Sequence, residues 1–158
     1  MSPFRTDAAA VVATALIDAG LTDRMRIFDT PVPTAPEAAR TLGCETAAIV
    51  NSLVFDADGS PLLILASGAH RVDTERLAGE LGFDTLTRAS KNFVVEAAGQ
   101  QIGGVSPIGH PQPLRTILDS DLEQQQWLWA GGGDLYTMFR ASYSELLAIT
   151  TATPLPVA

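Results

Sequence analysis

Asn51 stands in IVNSLVF (49–55), a run that is otherwise apolar apart from Ser52. Read as a strand, the run puts the Asn51 side chain on the face of Ile49, Leu53 and Phe55. An amide there must find hydrogen-bond partners or bear a desolvation penalty. Two placements are open: a satisfied buried amide or bulge, or a polar group turned toward a ligand. The stretch GGVSPIGHPQP (103–113) is the second candidate, with three glycines, three prolines, one serine, one histidine and no charge. Glycine permits positive φ and close approach, so main-chain N–H groups can be aimed at a ligand; Pro107 holds Ser106 extended. Such a turn can offer donors to an ester carbonyl or a phosphate, as an oxyanion hole does, or it can be an ordinary tight connection. GGGD (131–134) carries the same pair of readings. His110 has the pKa range of a general base, but its place between Gly109 and Pro111 also suits a loop residue with no proton-transfer role.

Other chemistries lack their residues. No GxSxG elbow and no strand–GxGxxG–helix unit occurs, so a hydrolase triad of that type and a dinucleotide cofactor are not expected. The chain has one cysteine, Cys44, and two histidines, His70 and His110. That excludes an internal disulfide and fits a reducing compartment, and three such residues are too few for a dedicated zinc site; no metal and no cofactor are expected. Cys44 reads as a small buried apolar residue, His70 as a structural or surface one.

The elements that must position Asn51 and the glycine loops follow from periodicity. Residues 7–19 have helical spacing, with Asp7 as the expected N-cap and Gly20 at the end. RMRIF (24–28) reads as a short strand. Thr34-Ala-Pro-Glu37 has capping-box spacing and starts a helix that stops at Gly43. IVNSLVF (49–55) and PLLILAS (61–67) flank a turn near Asp58-Gly59 and form a hairpin of two buried strands. Helices are expected over 72–82, over 91–98 behind Ser90, and after the capping box Ser142-Tyr-Ser-Glu145. RTIL (115–118), QWLWA (126–130) and LYTMF (135–139) read as strands. The mixture without a strict βαβ rhythm predicts an α+β fold, a mixed, curved β-sheet with helices around it. The 158 residues are expected to form a single domain over 1–158, with a core at about 24–150 and a loose tail at 151–158.

Apolar residues make up 46% and charged residues 18% of the chain, a globular composition, and the net charge is −8. Coating of nucleic acid through its phosphates is not expected of so acidic a chain, although one short nucleic-acid end can still be gripped locally. The N-terminus has no signal-peptide pattern and no segment has the roughly 18 apolar residues of a membrane span, so the protein is expected in the cytoplasm, away from membranes.

The order IVNSLVFDADGSPLLILASGAHRVD, then IGGVSPIGHPQPLRTILD, then WAGGGDLYTMFRASYSELLAIT resembles the YbaK/ProX superfamily, free-standing relatives of the editing domain of bacterial prolyl-tRNA synthetase. The resemblance covers about residues 24–150. It implies hydrolysis of the ester of a mischarged tRNA, with a partner in the acceptor 3′ end and a link to an aminoacyl-tRNA synthetase, and it implies no metal. It assigns GGVSP as the Gly-x-x-x-Pro loop bordering the aminoacyl pocket. Asn51 occupies the position of the family's lysine, which removes a charge while keeping hydrogen-bonding capacity. Asn51 and Gly104 are the expected catalytic residues, and Ser52, Gly103, Ser106, Pro107, His110 and Gly132 the expected substrate contacts. Arg71, Arg88, Lys91, Arg115 or Arg140 would supply local positive charge. The alternative is a catalytically silent binding module for a tRNA 3′ end, a nucleotide or a synthetase. The amino acid removed and the oligomeric state are not encoded legibly.

Overall fold

The computed structural model describes residues 2–158. Five helices and eight strands follow in the order α1 (Asp7–Asp18), β1 (Met25–Ile27), α2 (Ala35–Leu42), β2 (Ile49–Ala57), β3 (Ser60–Ser67), α3 (Thr74–Leu81), β4 (Leu86–Arg88), α4 (Lys91–Ala98), β5 (Arg115–Asp119), β6 (Leu128–Gly131), β7 (Thr137–Ala141), α5 (Tyr143–Thr150) and β8 (Thr153–Leu155). The strands make one mixed sheet of order β1-β7-β6-β2-β3-β5-β8, with β4 attached to β2. The α+β expectation holds.

The β2–β3 hairpin turns on Asp58 and Gly59, both at positive φ (51° and 90°), with Ala57 paired to Ser60. A two-residue turn of this kind matches the twist of the strands it joins. Asp58 also accepts from Thr85 N–H at 2.8 Å and Asp84 N–H at 3.0 Å, so the turn anchors the chain as it enters β4. β3 is apolar on both faces because both are covered: Leu62 through Ala66 are at most 1% exposed. Each such leucine or isoleucine contributes about 1.5–3 kcal/mol by leaving water.

One face of the sheet packs Val50, Val54, Leu63, Leu65 and Phe139 against Val12 and Leu16 of α1, Val94 of α4 and Leu146 of α5. The other face carries two separate clusters. α3 covers Phe55, Leu62 and Ile64 through Leu77. α2 covers Ile49 and Met138 through Ala35, Ala38 and Ala39. Between these two clusters, on β2, stands Asn51.

Some expectations need correction. The N-cap of α1 is Thr6, whose hydroxyl accepts from Ala9 N–H at 3.2 Å, and Asp7 is the first helical residue. Of the two capping boxes only that of α5 is reciprocal; Glu37 bonds the Thr34 hydroxyl instead of its main chain. Residues 151–158 are not loose. β8 pairs in parallel with β5, Val157 is fully buried beneath α3, and Arg76 donates to the carbonyls of Pro156 and Ala158. The alternation in TPLPV was too short to read as a strand.

Candidate functional site

β2 is paired along its whole length with β3, but its other edge is interrupted. β6 pairs only Ile49 and Val50, and β4 pairs only Phe55–Ala57. Among the described residues the sole bond to the intervening edge is from Ala89 N–H to Val54 C=O, at 3.4 Å. Gly68 N–H donates to Ile49 C=O at 2.7 Å, which sets the parity of the strand. The N–H and C=O of Ser52 therefore point into the gap. A cleft of about 440 Å³ opens there, and because the sheet is split it is reached by side chains of both faces, Asn51 and Ser52 alike.

Asn51 is half-buried and lines this cleft, and its amide has no hydrogen-bond partner among the described residues. The Ser52 hydroxyl is buried and equally unpartnered. Buried polar atoms are nearly always bonded, so an orphan in a cleft marks a place where a ligand or solvent completes the set. Asn51 is not the satisfied structural amide that its sequence context also allowed.

The opposite wall is the front of the glycine loop together with the start of α2. Ile102, Gly103 and Val105 line the cleft, and the amides of Gly103 and Val105 have no acceptor among the described residues. Gly103 sits at φ 89°, a conformation that favours glycine. Gly104 is different from what its sequence suggested. Its N–H is spent on Gln101 C=O at 3.0 Å, its C=O accepts from Gly133 N–H at 2.9 Å, and a Cβ there would lie 2.6 Å from the Cα of Asp134. It is glycine because two main-chain segments touch, and it does not line the cleft. Gly132 is likewise a packing position: a Cβ would sit 2.7 Å from Thr137 Oγ1.

The back of the loop faces elsewhere. Ser106 is fully buried; its N–H donates to Gln100 Oε1 at 2.8 Å, and Gln100 Nε2 donates to Ile108 C=O at 3.0 Å. Pro107 and His110 line a second cavity of about 390 Å³ between α1 and the end of α5. His110 Nε2 meets Ser106 C=O at 2.7 Å. A carbonyl only accepts, so Nε2 carries the proton. Burial pushes the His110 pKa below its ordinary value, with the Ser106 bond opposing. Of the eight expected site residues, the structure brings Asn51, Ser52 and Gly103 to one cleft and sends Gly104, Ser106, Pro107, His110 and Gly132 to the scaffold around it.

Two charged residues line the cleft, Arg88 and Asp134. Asp134 was not foreseen as a site residue. It is 1% exposed and accepts from Thr6 Oγ1 at 2.7 Å, Tyr136 N–H at 2.8 Å and Thr137 Oγ1 at 2.9 Å. With its oxygens so engaged, it fixes the GGGD turn to the N-cap of α1. Its only sequence signal was an acid closing a glycine run. Among the described residues no histidine, cysteine or lysine lines the cleft; beside Arg88 and the engaged Asp134 it offers main-chain donors, the Asn51 amide and the Ser52 hydroxyl. His70, His110 and Cys44 stand in separate surroundings. His70 Nδ1 lies 2.7 Å from the fully buried Asp119 and Nε2 lies 3.5 Å from Asp121. Cys44 packs with the α2 cluster, and burial raises its thiol pKa, which makes it a poor nucleophile.

The family described as the aminoacyl-tRNA editing domain matches residues 29–149. The uncharacterized protein YwhH of Bacillus subtilis (strain 168) is 31% identical over 120 residues, which cover 75% of this chain and 76% of YwhH. The proline–tRNA ligase of Nitratidesulfovibrio vulgaris (strain DP4) is 28% identical over 143 residues; the match takes in 82% of this chain but 25% of the ligase. Among solved structures, a protein named as a candidate trans-editing enzyme for prolyl tRNA synthetase superposes with a TM-score of 0.89 at 37% identity, over 99% of this chain and 98% of that one.

Proposed function

The chain belongs to the aminoacyl-tRNA editing domain family, and on that premise we propose that it hydrolyses, in trans, the ester joining a wrong amino acid to the 3′ end of a tRNA. The observation that carries this reading is the interrupted edge of β2, where an unpartnered amide, an orphaned hydroxyl and free main-chain donors meet in one cleft.

In this reading the aminoacyl group lies between β2 and the front of the glycine loop. The ester carbonyl faces the N–H groups of Gly103 and Val105, which stabilise the oxyanion as water adds to the acyl carbon. Asn51 and Ser52 orient that water and the α-amino group. The C–O bond to the ribose then breaks, and the proton lost by the water ends on the departing ribose oxygen. With the Asp134 carboxylate already held by Thr6, Tyr136 and Thr137, the acceleration comes from orientation and from donors fixed in advance. Arg88, on β4 at the mouth, faces the terminal phosphate.

The neutral Asn51, where the family's lysine stands, favours the silent binding module as the second reading. A panel of mischarged tRNAs decides between them. Wild type is expected to release at least one amino acid well above the uncatalysed rate. Asn51→Ala is expected to lower that rate about tenfold to hundredfold, roughly 1.4–2.8 kcal/mol of transition-state stabilisation, while the melting temperature changes little because no protein partner is orphaned. Binding of every charged tRNA without turnover of any would establish the silent module.

A further inference from the structure

The register of the sheet carries one face well beyond the cleft. Arg26 pairs with Met138, Arg140 with Trp129, and Trp129 with Ile49, so these side chains share the face of Asn51. At the far end of that face Trp127 is 37% exposed. The Arg140 guanidinium stands 4.2 Å from its ring centre and that of Arg24 stands 5.5 Å away. Arg26 lies over Phe28, and Arg5 over Tyr136 at 4.1 Å. Among the described residues two arginines, Arg24 and Arg140, share Trp127 at one end of β7, while the Arg26–Phe28 and Arg5–Tyr136 stacks lie toward its other end.

These arginines differ in what they have left to offer. Arg24 holds both oxygens of Glu145 at 2.8 and 2.9 Å, which pulls that carboxyl down to about 2, so its charge is spent within the fold. Arg26 and Arg140 form no ion pair among the described residues. The exposed Asp23 and Asp29 flank β1 and keep the surrounding field modest. A surface with few free cations and a broad aromatic platform suits a single strand, whose bases stack on rings and guanidinium planes, better than a duplex held by its phosphates alone.

We infer that Trp127, Arg140 and Arg26 form a stacking platform for single-stranded RNA, taking the unpaired nucleotides next to the one whose ester enters the cleft. The inference rests on the tRNA reading above. Trp127 and Asn51 are offset by four residues along neighbouring strands, about 13 Å at ~3.3 Å per residue, with α2 seated on Ile49 and Met138 between them, so the RNA strand passes around that helix.

The test is the binding of an RNA minihelix with a single-stranded 3′ tail, compared with the same duplex ending blunt. Wild type is expected to prefer the tailed RNA. Trp127→Ala should weaken it about tenfold, while Trp127→Phe keeps most of the affinity. Arg140→Lys preserves charge yet should lose part of the stacking. Arg26→Ala with Arg140→Ala should reduce the salt slope of log K by about 1–2. Equal tail binding by wild type and by a natively melting Trp127→Ala would overturn the platform. An acidic protein partner in place of RNA would do the same, seen as no preference for the tail. If the tail binds through Trp127 but no mischarged tRNA is hydrolysed, the hydrolase reading fails and the platform stands. If hydrolysis proceeds and all variants bind as wild type does, the platform alone fails.

Discussion

The front and back halves of the loop that begins at Gln100 share glycine and isoleucine and do opposite things. In the back half nearly every polar group is tied: Gln100 spans Ser106 and Ile108, and His110 closes onto Ser106. In the front half the amides of Gly103 and Val105 stay without an acceptor among the described residues, and both residues line the cleft. The contrast teaches that glycine and proline content marks a loop as controlled without saying which part is scaffold and which part is offered to a ligand. A donor is available because its neighbours have been satisfied elsewhere.

The sharpest way to break this division is at the seam. Gly104→Val drives a branched side chain into the Asp134 main chain, and it is expected to cost more than about 3 kcal/mol or prevent folding, read as loss of a cooperative thermal transition. A Gly104→Val protein with native melting would show that the two glycine segments are not interlocked.

Gln100→Leu tests the tied half. It leaves the Ser106 N–H and the Ile108 C=O unpaired in a buried setting, and a loss of about 2–4 kcal/mol is expected in denaturant titration. A loss below about 0.5 kcal/mol would mean that the back half holds its shape without that bridge.

The smallest effect concerns His110. Its folded pKa lies below the ordinary 6.5, so the unfolded chain takes up the proton first as pH falls. The stability this costs is absent well above 6.5 and grows as pH drops below it. His110→Gln keeps a donor for Ser106 and removes the titration. The melting temperature of wild type relative to His110→Gln should therefore decline from pH 7.5 to 5.5. A constant difference would place His110 in solvent-like surroundings.

Much of the frame was legible in the sequence. The hairpin follows from two apolar runs around Asp58-Gly59, and the helix ends at Gly43, Gly82 and Gly99 follow from residues that tolerate positive φ. Asn51 was legible as an anomaly because an amide interrupts an apolar face. Its partnering was not, since that depends on β6 and β4 stopping short of it, and β4 is a three-residue strand with no periodic signal of its own. The roles of Gly104 and Gly132 were hidden for a similar reason. Gly104 presses on Asp134, far along the chain, and Gly132 on Thr137 across its own turn, and local composition does not record what a missing side chain makes room for.

The placement of β8 bears on the protein's life in a crowded solution. A sheet ending in an open strand such as β5, with Ile117 and Leu118 buried on opposite faces, would present a ready template for a strand of another molecule. The chain lays its own residues Thr153–Leu155 along that strand and seals them with Val157. Pro154 lacks an N–H to donate, so the strip that covers β5 is itself a poor partner for further growth of the sheet. At the opposite margin β1 is three residues long and carries the exposed, charged Arg26. Both ends of the strand order thus discourage self-association, and the interrupted edge of β2 opens into the cleft, walled on its far side by the glycine loop and the start of α2.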